Sequence, residues 1–182
     1  MLSDKQIKKL IHLKKVTVTP YDESNLKAGK YDVHLGRYVL IPKKTKKIVD
    51  LYYPKFQPQY GREDISKKSF ILNPGQFILG QTLEVIGLDS DIGMFIDGST
   101  TMARLGILIH LSSTFIPPGQ DPHIITLEIF NAGAWKVALS YKVKVGKLLV
   151  FKYSEKNAIA AKTFNRYNGQ REATGAKIES KV

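Results

Sequence analysis

The sequence contains no cysteine, which removes disulfide bonds, thiolate metal ligands and cysteine nucleophiles from consideration. Its four histidines show no short ligand spacing, so neither a structural nor a catalytic zinc site is predicted. No apolar run reaches the roughly 18 residues that a membrane-spanning helix needs, and the N-terminus lacks a signal-peptide pattern. From these absences we expect a soluble, cytoplasmic protein with no membrane partner.

Acidic side chains are also scarce, because 16 Asp and Glu residues stand against 28 Lys and Arg residues and leave a formal net charge of +12. Excess positive charge favours anionic partners, either nucleic acid or phosphorylated small molecules. One basic run holds Lys43, Lys44, Lys46 and Lys47, and a second basic segment covers residues 152–182. Because the lysine run has no interleaved aromatic residues to stack on bases, we interpret it as a solvated turn and consider nucleic-acid binding the weakest hypothesis.

The pattern along the chain predicts a mainly β protein with a short N-terminal helix. Ser3 and Gln6 form a capping-box pattern, which indicates an amphipathic helix over residues 3–13. Short apolar segments then alternate with turn residues at near-regular spacing, as is typical of a β-sandwich or barrel. The predicted strands are Val39–Ile41, Phe70–Leu72, Phe77–Glu84, Gly93–Ile96, Ile107–His110, Ile124–Phe130, Trp135–Leu139 and Leu148–Tyr153.

The chain length of 182 residues suits one main domain. We assign this domain to residues 1–156 and a polar C-terminal arm to residues 157–182. The segment Tyr52–Glu63, which is rich in Pro and Tyr, is predicted to be an insertion loop.

Arg104 is the first candidate for a functional residue, because it is the only Lys or Arg within residues 69–135. Three consecutive hydroxyl residues, 99–101, come shortly before it. A guanidinium presents five donors and stays charged when desolvated, so this group suits an anionic, hydrogen-bonding ligand. The alternative is a structural arginine that pairs with Asp97 or Glu128 across a sheet.

Glu128 is the second candidate. Strand alternation along Ile124–Phe130 places Thr126 and Glu128 on one face of the strand. The opposite face then carries Ile125, Leu127 and Ile129. A carboxylate among apolar neighbours suits a general acid or base, whereas the alternative is an outward-facing Glu with no chemical role.

Six segments match, in order, the motifs of one protein family. They are Met1–Ile7, Lys30–Gly36 (family S-Y-D-L-R-L-G), Leu72–Glu84 (H-P-G-E-F-V-L-A-Q-T-L-E), Gly98–Gly106 (G-R-S-S-L-A-R-L-G), Ile125–Asn131 (I-T-L-E-L-S-N) and Arg166–Arg171 (K-Y-Q-G-Q-R). On these residues the chain resembles the dCTP deaminase family, a branch of the trimeric dUTPase-like superfamily.

This resemblance implies a distorted β-barrel or jelly-roll protomer in a homotrimer, with active sites at the subunit interfaces. It also implies hydrolytic deamination of dCTP to dUTP and ammonia without zinc, and Mg²⁺ bound to the triphosphate rather than acting as the hydrolytic centre. The absence of cysteine agrees, since a zinc deaminase needs His/Cys/Cys or three Cys ligands.

The resemblance further implies roles for individual residues. Glu128 would be the general base that activates water, and Arg104 would assist at the reacting centre. The C-terminal arm would close over the nucleotide. The nucleotide-binding positions implied in this way are Ser99, Thr100, Thr101, Met102, Ala103, Arg104, Ser112, Ser113, Thr126, Leu127, Glu128, Arg166 and Gln170.

Three positions depart from the family pattern. Phe164 is the nearest aromatic residue to the family's tail Tyr and lacks its hydroxyl. Ser99 stands where the family has Arg, and Pro117 stands where it has Asp. Two alternatives therefore stay open beside the deaminase. One is a bifunctional enzyme that also removes diphosphate to give dUMP, which Pro117 disfavours, and the other is a catalytically silent nucleotide-binding homologue.

Overall fold

A computed structural model describes residues 1–52 and 54–178 of the chain. The first element is helix α1, Asp4–His12. The predicted capping box is confirmed, because the Ser3 side chain accepts a hydrogen bond from the Gln6 backbone and the Gln6 side chain accepts one from the Ser3 backbone. Ile7 and Leu10 are the buried residues of this helix. Among the described residues, no helix is both long and apolar enough to cross a membrane.

Strands make up most of the regular structure, which confirms the mainly β prediction. In chain order they are β1 Val16–Thr19, β2 Leu26–Lys27, β3 Lys30–His34, β4 Tyr38–Pro42, β5 Tyr60–Asp64, β6 Phe70–Leu72, β7 Phe77–Leu88, β8 Ile92–Gly98, β9 Ile107–Leu108, β10 Phe115–Ile116, β11 Gln120–Asn131, β12 Val137–Leu139 and β13 Lys144–Lys152. A second short helix, α2, covers Thr100–Arg104 between β8 and β9. Two short 3₁₀ turns cover Glu23–Asn25 and Ala161–Thr163.

The strands form two main sheets and a small ribbon. The first sheet has the order β5-β4-β7-β11-β9, with β1 also paired to β7, and the second has the order β10-β8-β13-β3-β2. Strands β6 and β12 form the ribbon. Apolar residues from both main sheets are fully buried in one core, among them Val33, Ile78, Ile129 and Leu148. The long antiparallel pair β7–β11 is the framework on which the candidate site is built.

The predicted insertion loop Tyr52–Glu63 is wrong at its C-terminal end. Residues from Tyr60 onward form β5, which pairs antiparallel with β4 at the edge of the first sheet. Because the side chains of this edge strand are exposed or only half-buried, it has no apolar alternation for a sequence pattern to detect. The four lysines of the basic run lie in the preceding loop and are exposed, as predicted for a solvated turn.

After β13 the described chain forms no further strand, and it returns along the first sheet. We call residues 165–178 the tail. Within the tail, the Gln170 carbonyl accepts a hydrogen bond from Ile124 N at 3.0 Å, and Ala173 N donates to Gln81 Oε1 at 3.1 Å. The tail therefore packs against β11 and β7. Residues 179–182 of the predicted arm lie outside the described residues.

Candidate active site

Strand β11 carries the candidate carboxylate into a cavity of about 510 Å³. Thr126 and Glu128 both line this cavity, as strand alternation predicts, and the side chains of Leu127 and Ile129 are buried in the core on the other side. Ile125 departs from the prediction, because it lines the cavity too. The pairing of β11 with β7 shifts register between Ile124 and Thr126, and this irregularity interrupts the alternation.

The Glu128 carboxylate is held by the loop that follows β9. Its Oε2 atom accepts a hydrogen bond from the backbone N–H of Leu111 at 2.9 Å. The next two residues of the loop, Ser112 and Ser113, line the same cavity. A carboxylate with one fixed donor keeps acceptor capacity for a further partner, so Glu128 has the chemistry needed to orient a water molecule.

The tail forms another wall of the cavity. The Gln170 side chain donates from Nε2 to the Ile124 carbonyl at 2.7 Å and to Thr126 Oγ1 at 3.0 Å. The Thr174 hydroxyl donates to Gln170 Oε1 at 3.0 Å. Gln170 therefore binds the tail to β11 two residues before the candidate carboxylate.

His123 also faces the cavity, and the sequence did not mark it as a candidate. Its Nδ1 donates to the backbone carbonyl of Asp121 at 2.8 Å, and the residue is almost fully buried. Burial lowers the pKa of His123 below its ordinary value, and the hydrogen bond to Asp121 only partly opposes this effect. The imidazole is therefore neutral at neutral pH.

No lysine or arginine of the described chain lines this cavity. Its only carboxylate is Glu128, and the other polar walls are hydroxyl, amide and imidazole groups. The lining residues are Tyr60, Phe77, Leu79, Ile96, Leu111, Ser112, Ser113, Phe115, Ile116, Pro117, Gln120, His123, Ile125, Thr126, Glu128, Asn165, Tyr167, Gln170, Thr174, Gly175 and Ala176. Over residues 1–52 and 54–178, the lining thus offers one carboxylate and uncharged polar groups but no Lys or Arg.

The hydroxyl segment predicted as part of the same site forms α2, away from the cavity. Ser99 is buried and caps this helix, because its Oγ accepts a hydrogen bond from Met102 N at 3.2 Å. Met102 is buried, whereas Thr100, Thr101 and Ala103 are exposed. Capping accounts for the Ser99 hydroxyl and core packing for the Met102 side chain, so within one chain the two threonines are the hydroxyls of α2 open to a ligand.

Arg104 ends α2 with an exposed side chain and does not line the cavity. Over residues 1–52 and 54–178 it forms no ion pair, so the structural pairing with Asp97 or Glu128 is wrong. Asp97 pairs with Lys147 Nζ at 2.7 Å instead, and Glu128 is bound to a backbone amide. The structure therefore does not bring Arg104 and Glu128 together within one chain.

Three other positions discussed from the sequence have different surroundings. The Arg166 side chain is exposed and donates to the Lys177 carbonyl at 2.8 Å, outside the cavity lining. Leu127 has a buried side chain in the core, so only its backbone is near the site. Pro117 does line the cavity, and its carbonyl accepts a hydrogen bond from Gln120 Nε2 at 3.0 Å.

The aromatic and amide groups of the lining that sequence reasoning did not single out include Tyr60, Asn165 and Tyr167. Tyr167 belongs to the tail motif Arg166–Arg171. Tyr60 comes from β5, far away in sequence, and carries no local signal. Among the residues that the structure describes, no group of three or more His, Asp or Glu side chains is placed to hold a metal ion.

A mainly β fold in which one carboxylate of the described residues faces a cavity with both polar and apolar walls suits an enzyme that works by acid–base chemistry. A family model described as dCTP deaminase-like matches residues 1–153, and the chain belongs to that family of hydrolases.

Curated relatives match over almost the whole chain. A "dCTP deaminase, dUMP-forming" from Streptomyces avermitilis is 32% identical over 97% of this chain and 94% of its own length. A protein of the same name from Nocardioides is 33% identical over 96% of this chain and 93% of its own.

Among solved structures, a 2'-deoxycytidine 5'-triphosphate deaminase from Agrobacterium tumefaciens superposes with a TM-score of 0.64 at 16% identity. The match covers 82% of this chain and 46% of that one. At 16% identity this structural similarity shows a shared fold only.

Proposed function

We propose that the protein hydrolyses the 4-amino group of dCTP and releases ammonia, with Glu128 as the general base and general acid. The observation that carries this proposal is the Glu128 carboxylate, which faces the cavity, is oriented by Leu111 N at 2.9 Å and stands beside Ser112 and Ser113. The names of the curated relatives supply the substrate.

In the proposed reaction a water molecule adds to C4 of the cytosine ring. Glu128 takes one proton from this water and passes it to N3 of the ring as the oxygen bonds to C4. The hydroxyl of this adduct then gives its proton, again through Glu128, to the leaving amino group. C4 therefore keeps the oxygen as a carbonyl, N3 keeps a proton and ammonia departs. A positioned acid–base group of this kind contributes roughly 10²–10⁴-fold to a rate. Zinc deaminases activate the water with a metal held by His and Cys, and a chain without cysteine cannot assemble that ligand set.

The triphosphate needs positive charge, and none of the described residues that line the cavity is a Lys or Arg. We propose that the protein is a homotrimer in which α2 of one chain faces the cavity of its neighbour. Thr100, Thr101 and Arg104 are exposed and would then contact the nucleotide from the second chain. Mg²⁺ would arrive bound to the phosphates, because the cavity offers only one carboxylate and no cluster of metal ligands among the described residues.

A second candidate is the bifunctional reaction, in which dUTP is further hydrolysed to dUMP and diphosphate. The relatives' name, "dCTP deaminase, dUMP-forming", favours it. Pro117 opposes it, because its side chain has no carboxylate and its carbonyl is already bound to Gln120. The change Pro117→Asp should raise the yield of dUMP relative to dUTP if the second hydrolysis takes place at this end of the cavity.

The deciding experiment incubates the purified protein with dCTP and Mg²⁺, follows ammonia with a coupled assay and separates the nucleotides by ion-exchange chromatography. Ammonia with dUTP supports the deaminase, and ammonia with dUMP and diphosphate supports the bifunctional enzyme. A parallel reaction with dUTP as substrate distinguishes the two hydrolytic steps. Nucleotide binding without ammonia would favour the catalytically silent homologue.

A further inference from the structure

The tail meets the edge strand β5 on the far side of the cavity from β11. Tyr60, the first residue of β5, lines the cavity, and Gly175 of the tail lies directly against its ring. A Cβ atom on residue 175 would overlap with Tyr60 Cε2. Only glycine permits so close an approach of the tail backbone to this ring.

Two residues further along β5, on the same face of the strand, Arg62 reaches the tail. Its Nη2 atom lies 3.0 Å from Glu172 Oε1. The guanidinium also stacks on the ring of Tyr38, with Cζ 3.6 Å from the ring centroid. Because Tyr38 belongs to the neighbouring strand β4, this stack holds Arg62 in place independently of the tail.

A third contact lies just before β5. Gln57 Nε2 donates to the carbonyl of Ile178 at 2.6 Å. The tail therefore contacts two walls of the cavity. Gln170 binds it to β11, and Glu172, Gly175 and Ile178 contact the segment 57–62. Thr174, Gly175 and Ala176 of the tail form part of the cavity lining.

We propose that Arg62 is a positioning residue for the reaction. Through Glu172 it holds the tail closed over the cavity, and it thereby sets the affinity for the nucleotide without contacting the reacting atoms. This inference rests on the proposed function, since it takes the cavity to be the nucleotide site. Both partners of the ion pair are about half exposed, so the expected contribution is modest.

The test compares Arg62→Ala, Glu172→Ala and the double variant with the wild type. The first readout is hydrogen exchange of the tail amides without nucleotide. We expect faster exchange in both single variants, and no further increase in the double variant because the two side chains act as one pair. The second readout is kinetic: KM for dCTP should rise about two- to fivefold, as expected for an exposed ion pair, while kcat is retained.

Arg37→Ala is the matched control. Arg37, the residue before β4, pairs with Asp64 of β5 at 2.7 Å and lies 5.2 Å from the centroid of the same Tyr38 ring. Among the described residues, none of its hydrogen bonds or ion pairs goes to the tail. It should leave tail exchange and KM unchanged. Unaltered tail exchange in Arg62→Ala, or additive effects in the double variant, would overturn the proposal.

A second variant tests the same closure through packing rather than charge. Gly175→Ala should push the tail off the Tyr60 ring, raise tail exchange and raise KM, and an unchanged exchange rate would also count against the closure. Because exchange is measured without nucleotide, the result stands even if the wild type proves to have no deaminase activity. A protected tail in an inactive wild type would refute the proposed function and leave the tail contact intact.

Discussion

Strand β11 and helix α2 carry the two motifs that indicate the same activity most directly, but only the β11 motif lies at the cavity. Glu128 of β11 lies in a cavity with a fixed hydrogen-bond donor and polar neighbours. Arg104 of α2 is exposed, lies outside the cavity lining and has no ion-pair partner among residues 1–52 and 54–178. Among the described residues, the cavity lining thus holds the carboxylate for the proposed acid–base step but no Lys or Arg for the phosphates.

The largest expected effect is that of Glu128→Gln on deamination. The amide oxygen can still accept the hydrogen bond from Leu111 N, so fold and nucleotide binding should be retained. The side chain can no longer exchange a proton, and the rate should fall by roughly 10²–10⁴-fold or more. Ammonia release measured beside calorimetric binding of dCTP tests this, and an unchanged rate would show that Glu128 is structural.

Arg104→Ala should have the next largest effect, and only on function. A charge-assisted hydrogen bond contributes about 1.5–3 kcal/mol, which corresponds to roughly a ten- to hundredfold loss of kcat/KM or affinity. The free energy of unfolding should change by less than about 0.5 kcal/mol, as for other exposed positions without specific contacts. A large loss of stability with normal activity would show that Arg104 is a structural residue with no role in the reaction.

Mixing the two inactive chains is the sharpest test of whether β11 and α2 meet across an interface. If each site takes Glu128 from one chain and Arg104 from a neighbour, co-expression of Glu128→Gln with Arg104→Ala rebuilds some wild-type sites. Random assembly in equal amounts leaves roughly a quarter of the sites with both groups intact. Activity no higher than that of the separate variants, in particles shown by light scattering to contain both chains, would place both residues in the same protomer's site.

The same comparison explains how much the sequence could predict. The capping box and the shared face of Thr126 and Glu128 depend on local patterns, and the structure confirms both. The nucleotide-binding role of Gln170 stays a prediction, and its side chain lies in the cavity lining. The exposed lysine run follows equally simply from its composition.

Other features escaped prediction because they depend on distant parts of the chain. The register shift near Ile124 brings Ile125 into the cavity, and such an irregularity is set by the pairing with β7 rather than by local alternation. Tyr60 reaches the site only because an edge strand without apolar periodicity pairs with β4. The separation of Arg104 from Glu128 within one chain is likewise a property of the whole fold.

A smaller effect is expected from Ser99→Arg, which restores the family residue on α2. The change removes the hydroxyl that accepts from Met102 N, and loss of such a cap costs about 1 kcal/mol. The new cation should at the same time tighten dCTP binding if α2 faces the phosphates. Denaturant unfolding and calorimetry measure the two effects, with Ser99→Thr as the control that keeps a capping hydroxyl.

Unchanged affinity in Ser99→Arg would mean that the triphosphate does not lie against α2. In that case the basic tail is the other source of positive charge, and Arg166→Ala should weaken binding instead. If neither variant alters affinity, the anion-binding half of the site lies in neither region.

The smallest expected effect is on the free energy of unfolding in mild acid, and it concerns His123 of β11. Burial lowers the pKa of His123 in the folded protein, so the unfolded chain takes up a proton first as the pH falls. The contribution of His123 to stability should therefore be constant above the unfolded-state pKa of about 6.5 and decrease below it, until the folded-state pKa is reached.

His123→Asn, whose amide can still donate to the Asp121 carbonyl, should remove this part of the pH dependence. Urea midpoints measured between neutral pH and mild acid for both proteins provide the check, and parallel curves would show that His123 titrates alike in the folded and unfolded chains. Arg104→Ala serves as a second reference, because Arg104 lies on α2 outside the cavity lining and its replacement should leave the wild-type curve unchanged.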